Sequence, residues 1–117
     1  MKRHLLFICS KNFNRSPTAE SLFSNSRFYE AKSGGTDQDA VVVVSQDLID
    51  WADLVFVMSE TDDGHLTHIE GNFSLKGKRV CDLDIPDNFG RDDPELIGLL
   101  RKRIEEFLLL QGYPPAL

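Results

Sequence analysis

The chain opens on a polar triplet, Met1-Lys2-Arg3, and runs at once into Leu5-Leu6-Phe7-Ile8, an apolar stretch without alternation. A continuous run of that length predicts a strand buried on both faces, as in a parallel sheet. Leu54-Val55-Phe56-Val57-Met58 repeats the pattern and predicts a central strand. Two weaker strands are expected, an edge strand over 27–32 closing at Ser33-Gly34-Gly35-Thr36, and a last one over 78–83. Between them the apolar spacing lengthens to helical period. A helix is predicted over 16–26 with Ala19, Leu22 and Phe23 inward, a short one capped by Ser45 and ending near Trp51, and one over 62–70 interrupted by Gly64. Asp93-Pro94-Glu95 starts the longest helix; Leu96, Ile97, Leu100, Ile104, Phe107 and Leu108 form its stripe, and Gly112 with Pro114 ends it. The run Val41 to Val44 fits either a short strand or an extended connection. Strand and helix thus alternate, which predicts an α/β fold: a four-stranded parallel sheet with helices on both faces.

Composition narrows this little. The chain has 117 residues, 41% hydrophobic and 27% charged, and fits one domain over 1–117. A formal charge of −6 argues against a nucleic-acid partner, which needs a basic face. No stretch is long enough for a membrane span, and the apolar run after Arg3 is too short for a signal peptide. Two cysteines make no disulfide framework, and a cytoplasmic, reducing setting is expected. Arg101-Lys102-Arg103 beside Glu105 and Glu106 reads as a solvated helix face.

The chemistry lies where the first strand ends. Cys9-Ser10-Lys11-Asn12-Phe13-Asn14-Arg15-Ser16 places a cysteine and an arginine with five residues between them, at a strand end and a helix start. Such a loop forms a phosphate cradle after strand one, its amides turned inward and the helix N-terminus adding positive potential. Arg15 can grip two phosphate oxygens with its planar fork, and the same field favours the Cys9 thiolate, the reactive form. Asn12 suits the positive φ that a tight anion nest requires. Ligands in open α/β sheets bind at the carboxyl ends of the strands, here near Cys9, Ser33 and Asp84. An acid for a departing oxygen is offered by Asp84-Ile85-Pro86-Asp87, with Asp92 and Asp93 further along. His65 and His68 beside Asp62 have metal-ligand spacing, but histidines on a helix surface are usually solvated; no metal and no cofactor is expected.

Leu6-Phe7-Ile8-Cys9 with Asn12, Arg15, Ser16, Pro17, Thr18, Ala19 and Glu20 resembles the signature of the low-molecular-weight protein tyrosine phosphatases. Ser33-Gly34-Gly35-Thr36 is similar to that family's Ser-Ala-Gly-Thr turn, 47–58 to its scaffold, and Asp84 to Gly90 to its acid loop. The resemblance implies Asp87 as general acid, Phe89 as an aromatic substrate wall, Ser33 as a brace for Asn12, and Ser16 as a donor to the sulfur. The chain departs from the pattern at Lys11, where glycine is usual, at Asn14, where a second cysteine is usual, and at Asn88, where proline follows the acid. It is also shorter between Thr36 and Ser45 and around 64–76. The loop string further resembles serine phosphatases of the RNA polymerase II C-terminal domain, although Pro17-Thr18-Ala19-Glu20 favours the tyrosine phosphatases.

The implied activity is a metal-independent phosphomonoesterase of the protein-tyrosine type, working through a cysteinyl-phosphate with Cys9, Arg15 and Asp87. Its partner would be a phosphorylated protein or a small aryl phosphate, with Phe13 and Phe89 flanking the ring. The alternatives are an arsenate reductase, which needs further cysteines within reach of Cys9, and a phosphate- or phosphopeptide-binding module without turnover.

Overall fold

The computed structural model describes residues 1–114, so the last three residues of the expected single domain lie outside the described ones. The strands are β1 (Arg3–Cys9), β2 (Tyr29–Gly35), β3 (Leu54–Val57) and β4 (Val80–Asp82). The helices are α1 (Arg15–Ser21), α2 (Gln46–Trp51), α3 (Glu60–Asp63), α4 (His65–Asn72) and α5 (Pro94–Leu110). All pairings are parallel, in the order β2-β1-β3-β4.

β1 is central because its side chains alternate between two apolar layers. Leu5, Phe7 and Cys9 face one core with Ala19 and Phe23 and the α5 residues Leu96, Leu100, Ile104 and Leu108. Leu6 and Ile8 face the other with Ile49, Val55, Val57 and Ile69. Each such buried side chain is worth about 2 kcal/mol of removed apolar surface. The chain leaves β1 for β2 on one side and then crosses to β3 on the other, so the direction of winding reverses beside the end of β1. That reversal opens a crevice, and Cys9 ends β1 at its edge.

Several boundaries differ from the sequence expectation. α1 is regular only to Ser21, because Leu22, Phe23 and Ser24 donate to carbonyls three residues back and Ser26 Oγ takes the Tyr29 amide. A serine-rich end prefers such local bonds to helix. β2 therefore begins at Tyr29 and absorbs Ser33, Gly34 and Gly35, where the sequence predicts its closing turn. The helix expected over 62–70 is two helices, split where Gly64 takes φ 64. Val43 makes only an isolated bridge to Gly35, so 41–44 is an extended connection. Arg103 is not merely solvated: its Nη1 holds the Asp84 carbonyl at 2.9 Å, pinning the loop after β4. No helix among the described residues is long and apolar enough to cross a membrane.

Candidate active site

The loop between β1 and α1 owes its shape to what its carbonyls bind. Cys9 O, Ser10 O and Lys11 O accept from the amides of Thr36, Asp37 and Val41 at 2.9, 3.0 and 3.1 Å. In a planar trans peptide the next N–H points away from the carbonyl, so the amides of Ser10, Lys11 and Asn12 face the concave side. Asn12 turns the chain with φ 57, a conformation its short polar side chain tolerates. Gly35 makes the close approach possible, since a Cβ there would lie 2.4 Å from Ser10 O and 2.9 Å from Asn12 N.

A directed hydrogen-bond chain ends at the sulfur. The Glu20 carboxylate can only accept, so Ser33 Oγ donates to it (2.5 Å), and Ser33 Oγ in turn accepts from Asn12 Nδ2 (2.9 Å). The other Asn12 Nδ2 hydrogen goes to Ser16 Oγ (2.9 Å), while Asn12 Oδ1 takes the Val42 amide (3.1 Å). With its oxygen accepting from Asn12, Ser16 has one hydroxyl proton and two acceptors for it, Cys9 Sγ at 3.0 Å and Gly34 O at 3.4 Å, and the shorter contact points it at the sulfur. The network supplies a donor to a thiolate.

Arg15 is 1% exposed. Its Nη1 donates to Asp63 Oδ2 and to Ile85 O, both at 2.8 Å, which fixes the plane of the guanidinium. Its Nε is the single fully buried side-chain polar atom without a hydrogen-bond partner among the described residues. The Asp87 carboxylate forms a long ion pair with it, Oδ1 at 3.7 Å, too far for a hydrogen bond. A buried cationic donor left without a hydrogen bond is costly, and an incoming anion would satisfy it.

Cys9, Lys11, Phe13, Asn14, Arg15, Asp39, Val41 and Asp87 line one cavity of about 410 Å³. Asp87, 57% solvent-exposed in its side chain, stands at the mouth. Asp84 is not among the lining residues; it sits at φ 54, its amide on Asp82 Oδ1. Asp92 binds Thr18 Oγ1 through its amide, and Asp93 caps α5. Phe89 is not in the cavity: the α5-side core draws in its ring. The walls are instead Phe13 and Val41, 64% and 70% exposed. Lys11 is held by Asp37 and Asp39 at 3.0 and 2.8 Å, and these contacts raise its pKa.

Sequence reasoning missed the roles of Glu20, Asp63 and the Ile85 carbonyl, and it considered His65 only as a metal ligand. Among the described residues no group of three or more His, Cys, Asp or Glu could hold a metal ion. His65 instead touches the loop: Nε2 lies 2.9 Å from Ser10 Oγ and Nδ1 accepts the Ser59 amide at 3.0 Å. Burial, then the nearby Arg15, lower its pKa from 6.5 to about 4. Between those values the unfolded chain binds the extra proton, so stability falls as pH drops from 6.5 toward 4. The expected loss is about 3 kcal/mol. Urea denaturation of wild type and His65→Gln across that window checks it: the variant should show the flatter profile.

Cys81 is the other cysteine. Burial pushes its thiol up to about 11. It lies level with Phe56, and Phe56 with Phe7, two strands across and two residues short of Cys9. Strand spacings put the two Cα atoms on the order of 12 Å apart, beyond the ~7 Å limit for a disulfide.

No known family profile matches the chain, and no curated protein matches it. Solved structures do. The YwlE arginine phosphatase from Geobacillus stearothermophilus is 26% identical over 94% of this chain and 95% of its own, with a TM-score of 0.70. The low-molecular-weight protein tyrosine phosphatase from T. tengcongensis is 21% identical over 90% and 99%, with a TM-score of 0.66. A thioredoxin-dependent arsenate reductase of Corynebacterium glutamicum shares the fold at 22% identity and a TM-score of 0.61, covering 95% of this chain and 63% of that one. Over nearly its whole length the chain is similar in fold to these solved low-molecular-weight phosphatases.

Proposed function

We propose that this chain is a metal-independent phosphomonoesterase of the protein tyrosine phosphatase type, acting on a phosphorylated protein or a small aryl phosphate. The observation that carries the reading is the buried Nε of Arg15, which has no hydrogen-bond partner although Arg15 lines the same cavity as Cys9 and Asp87. In the proposed reaction the Cys9 thiolate attacks phosphorus as the ester P–O bond breaks. Asp87 gives its proton to the departing oxygen. Arg15 and the loop amides hold the charge on the remaining phosphoryl oxygens. Water, deprotonated by Asp87, then breaks the S–P bond, releasing phosphate and restoring the thiolate. The exposed Phe13 and Val41 offer apolar walls for an aromatic ring.

A free thiolate fits the reducing cytoplasm, which we propose as the compartment. Cys81 gives the arsenate reductase alternative little support, because its distance and raised pKa keep it from relieving Cys9. A silent binding module has no use for an acid at the cavity mouth.

The test is hydrolysis of para-nitrophenyl phosphate in EDTA with reductant. Wild type should turn over. Asp87→Asn should slow substrates with poor leaving groups by about 10²- to 10³-fold and para-nitrophenyl phosphate much less, since proton donation matters least when the leaving group is already stable. Equal losses on both substrates would overturn the acid role. Because one of the similar structures is an arginine phosphatase, phosphotyrosyl and phosphoarginyl peptides are compared in parallel. Faster turnover of the latter would overturn the tyrosine preference.

A further inference from the structure

The cradle is buttressed on its outer side by a group that the chemistry above does not use. His65, the first residue of α4, is 0% exposed, and its ring lies between two chain segments. The Ser59 amide can only donate, so Nδ1, 3.0 Å away, carries no proton. The neutral ring then has its proton on Nε2, which donates to Ser10 Oγ at 2.9 Å. Ser10 directly follows Cys9 and supplies the first of the inward amides. Ser59 lies two residues beyond β3, at the start of α3. One ring therefore ties the β3 end to the start of the anion loop, across 55 residues of sequence. Gly64, at φ 64, makes the turn that brings Asp63 to Arg15 and His65 to Ser10 from one short segment.

We propose that His65 is a positioning residue of the phosphate cradle, holding Ser10 through its Nε2–H tautomer so that the loop amides beside Cys9 stay set for an anion. The proposal rests on the phosphatase reading of this cavity. The neutral form is required by geometry. A proton on Nδ1 would face the Ser59 N–H donor to donor. The new charge would also sit beside Arg15, with Asp63, Asp82 and Glu60 the carboxylates that oppose it. His65 touches neither the sulfur nor the cavity, so its effect is read through Ser10.

The experiment measures inorganic phosphate affinity by calorimetry for wild type, Ser10→Ala, His65→Gln, His65→Phe and the Ser10→Ala/His65→Phe double variant. Ser10→Ala and His65→Phe should each weaken phosphate about five- to tenfold, the size of one hydrogen bond. The double variant should be no weaker than either single one, because both remove the same link. His65→Gln, which keeps a donor for Ser10, should bind more tightly than His65→Phe; a space-filling role predicts the reverse order. Should the His65 variants fail to fold, Ser10→Ala alone decides, with the wild-type Nε2–H tautomer read from long-range ¹H–¹⁵N correlation. Wild type that binds no phosphate overturns the anion-site reading and the proposal with it. Wild type that binds, with Ser10→Ala binding equally well, overturns the role of His65 alone.

Discussion

Cys9→Ser should abolish turnover, by at least about 10⁴-fold in kcat, while leaving the fold and phosphate affinity nearly intact. Serine matches cysteine closely in shape, so Ser16 Oγ keeps a partner and the core around the end of β1 loses little volume. On the proposed mechanism what disappears is the nucleophile. Asn12, braced by Ser33 and Glu20, donates to Ser16 and leaves that hydroxyl to donate to the group at position 9, but a serine alkoxide lies far beyond what one such hydrogen bond and one guanidinium can hold at neutral pH. Single-turnover assays on para-nitrophenyl phosphate, beside phosphate titration of the same sample, separate the two effects. Residual turnover within tenfold of wild type would remove Cys9 from the chemistry.

Gly35→Ala should be nearly as damaging through a different cause. Its new methyl would lie 2.4 Å from Ser10 O, 2.7 Å from the Ala40 Cβ and 2.9 Å from Asn12 N. Two of those three are loop backbone and cannot swing aside. The loop must move off β2, which breaks the bonds from Thr36 and Asp37 to Cys9 O and Ser10 O and turns the inward amides out of line. We expect a loss of about 10²-fold or more in kcat/KM together with about 2–4 kcal/mol of stability, the range for overpacking against a fixed wall. Gly34→Ala is the control: its nearest neighbour, the Val44 Cα, would be 3.3 Å away, and the expected loss is smaller. Equal activity in Gly35→Ala and wild type would mean that the cradle is far softer than its contacts indicate.

Much of this architecture was legible in the sequence because burial on both faces leaves a simple mark. Leu5 to Ile8 and Leu54 to Val57 are apolar without alternation, and they are the two inner strands of the sheet. The Cys9-to-Ser16 loop was legible for another reason: its chemistry and its geometry are local, written in eight consecutive residues. Contacts formed by long-range closure left no such mark. Asp63 reaches Arg15 where Gly64, expected only as an interruption within one helix, ends α3 and starts α4. His65 had metal-ligand spacing with His68, but α4 buries the one and leaves the other partly exposed. Phe89, which the resemblance put on a substrate wall, lies half-buried against the α5-side core and is not among the residues lining the Cys9 cavity.

The cradle's fixings come from far along the chain. Ser10 is held from residue 65, and Arg15 from residues 63 and 85. The anion site therefore exists only when β3, the α3–α4 corner and the loop beyond β4 are all in place. It cannot survive local opening of any of them. On the proposed phosphatase reading, phosphate binding and folding are one linked equilibrium: phosphate at a hundred times its Kd should add about 2.7 kcal/mol against unfolding. The occupied cradle acts as a clasp on three distant segments, and a fragment carrying only the residues from Cys9 to Ser16 would have the chemistry without the geometry to use it.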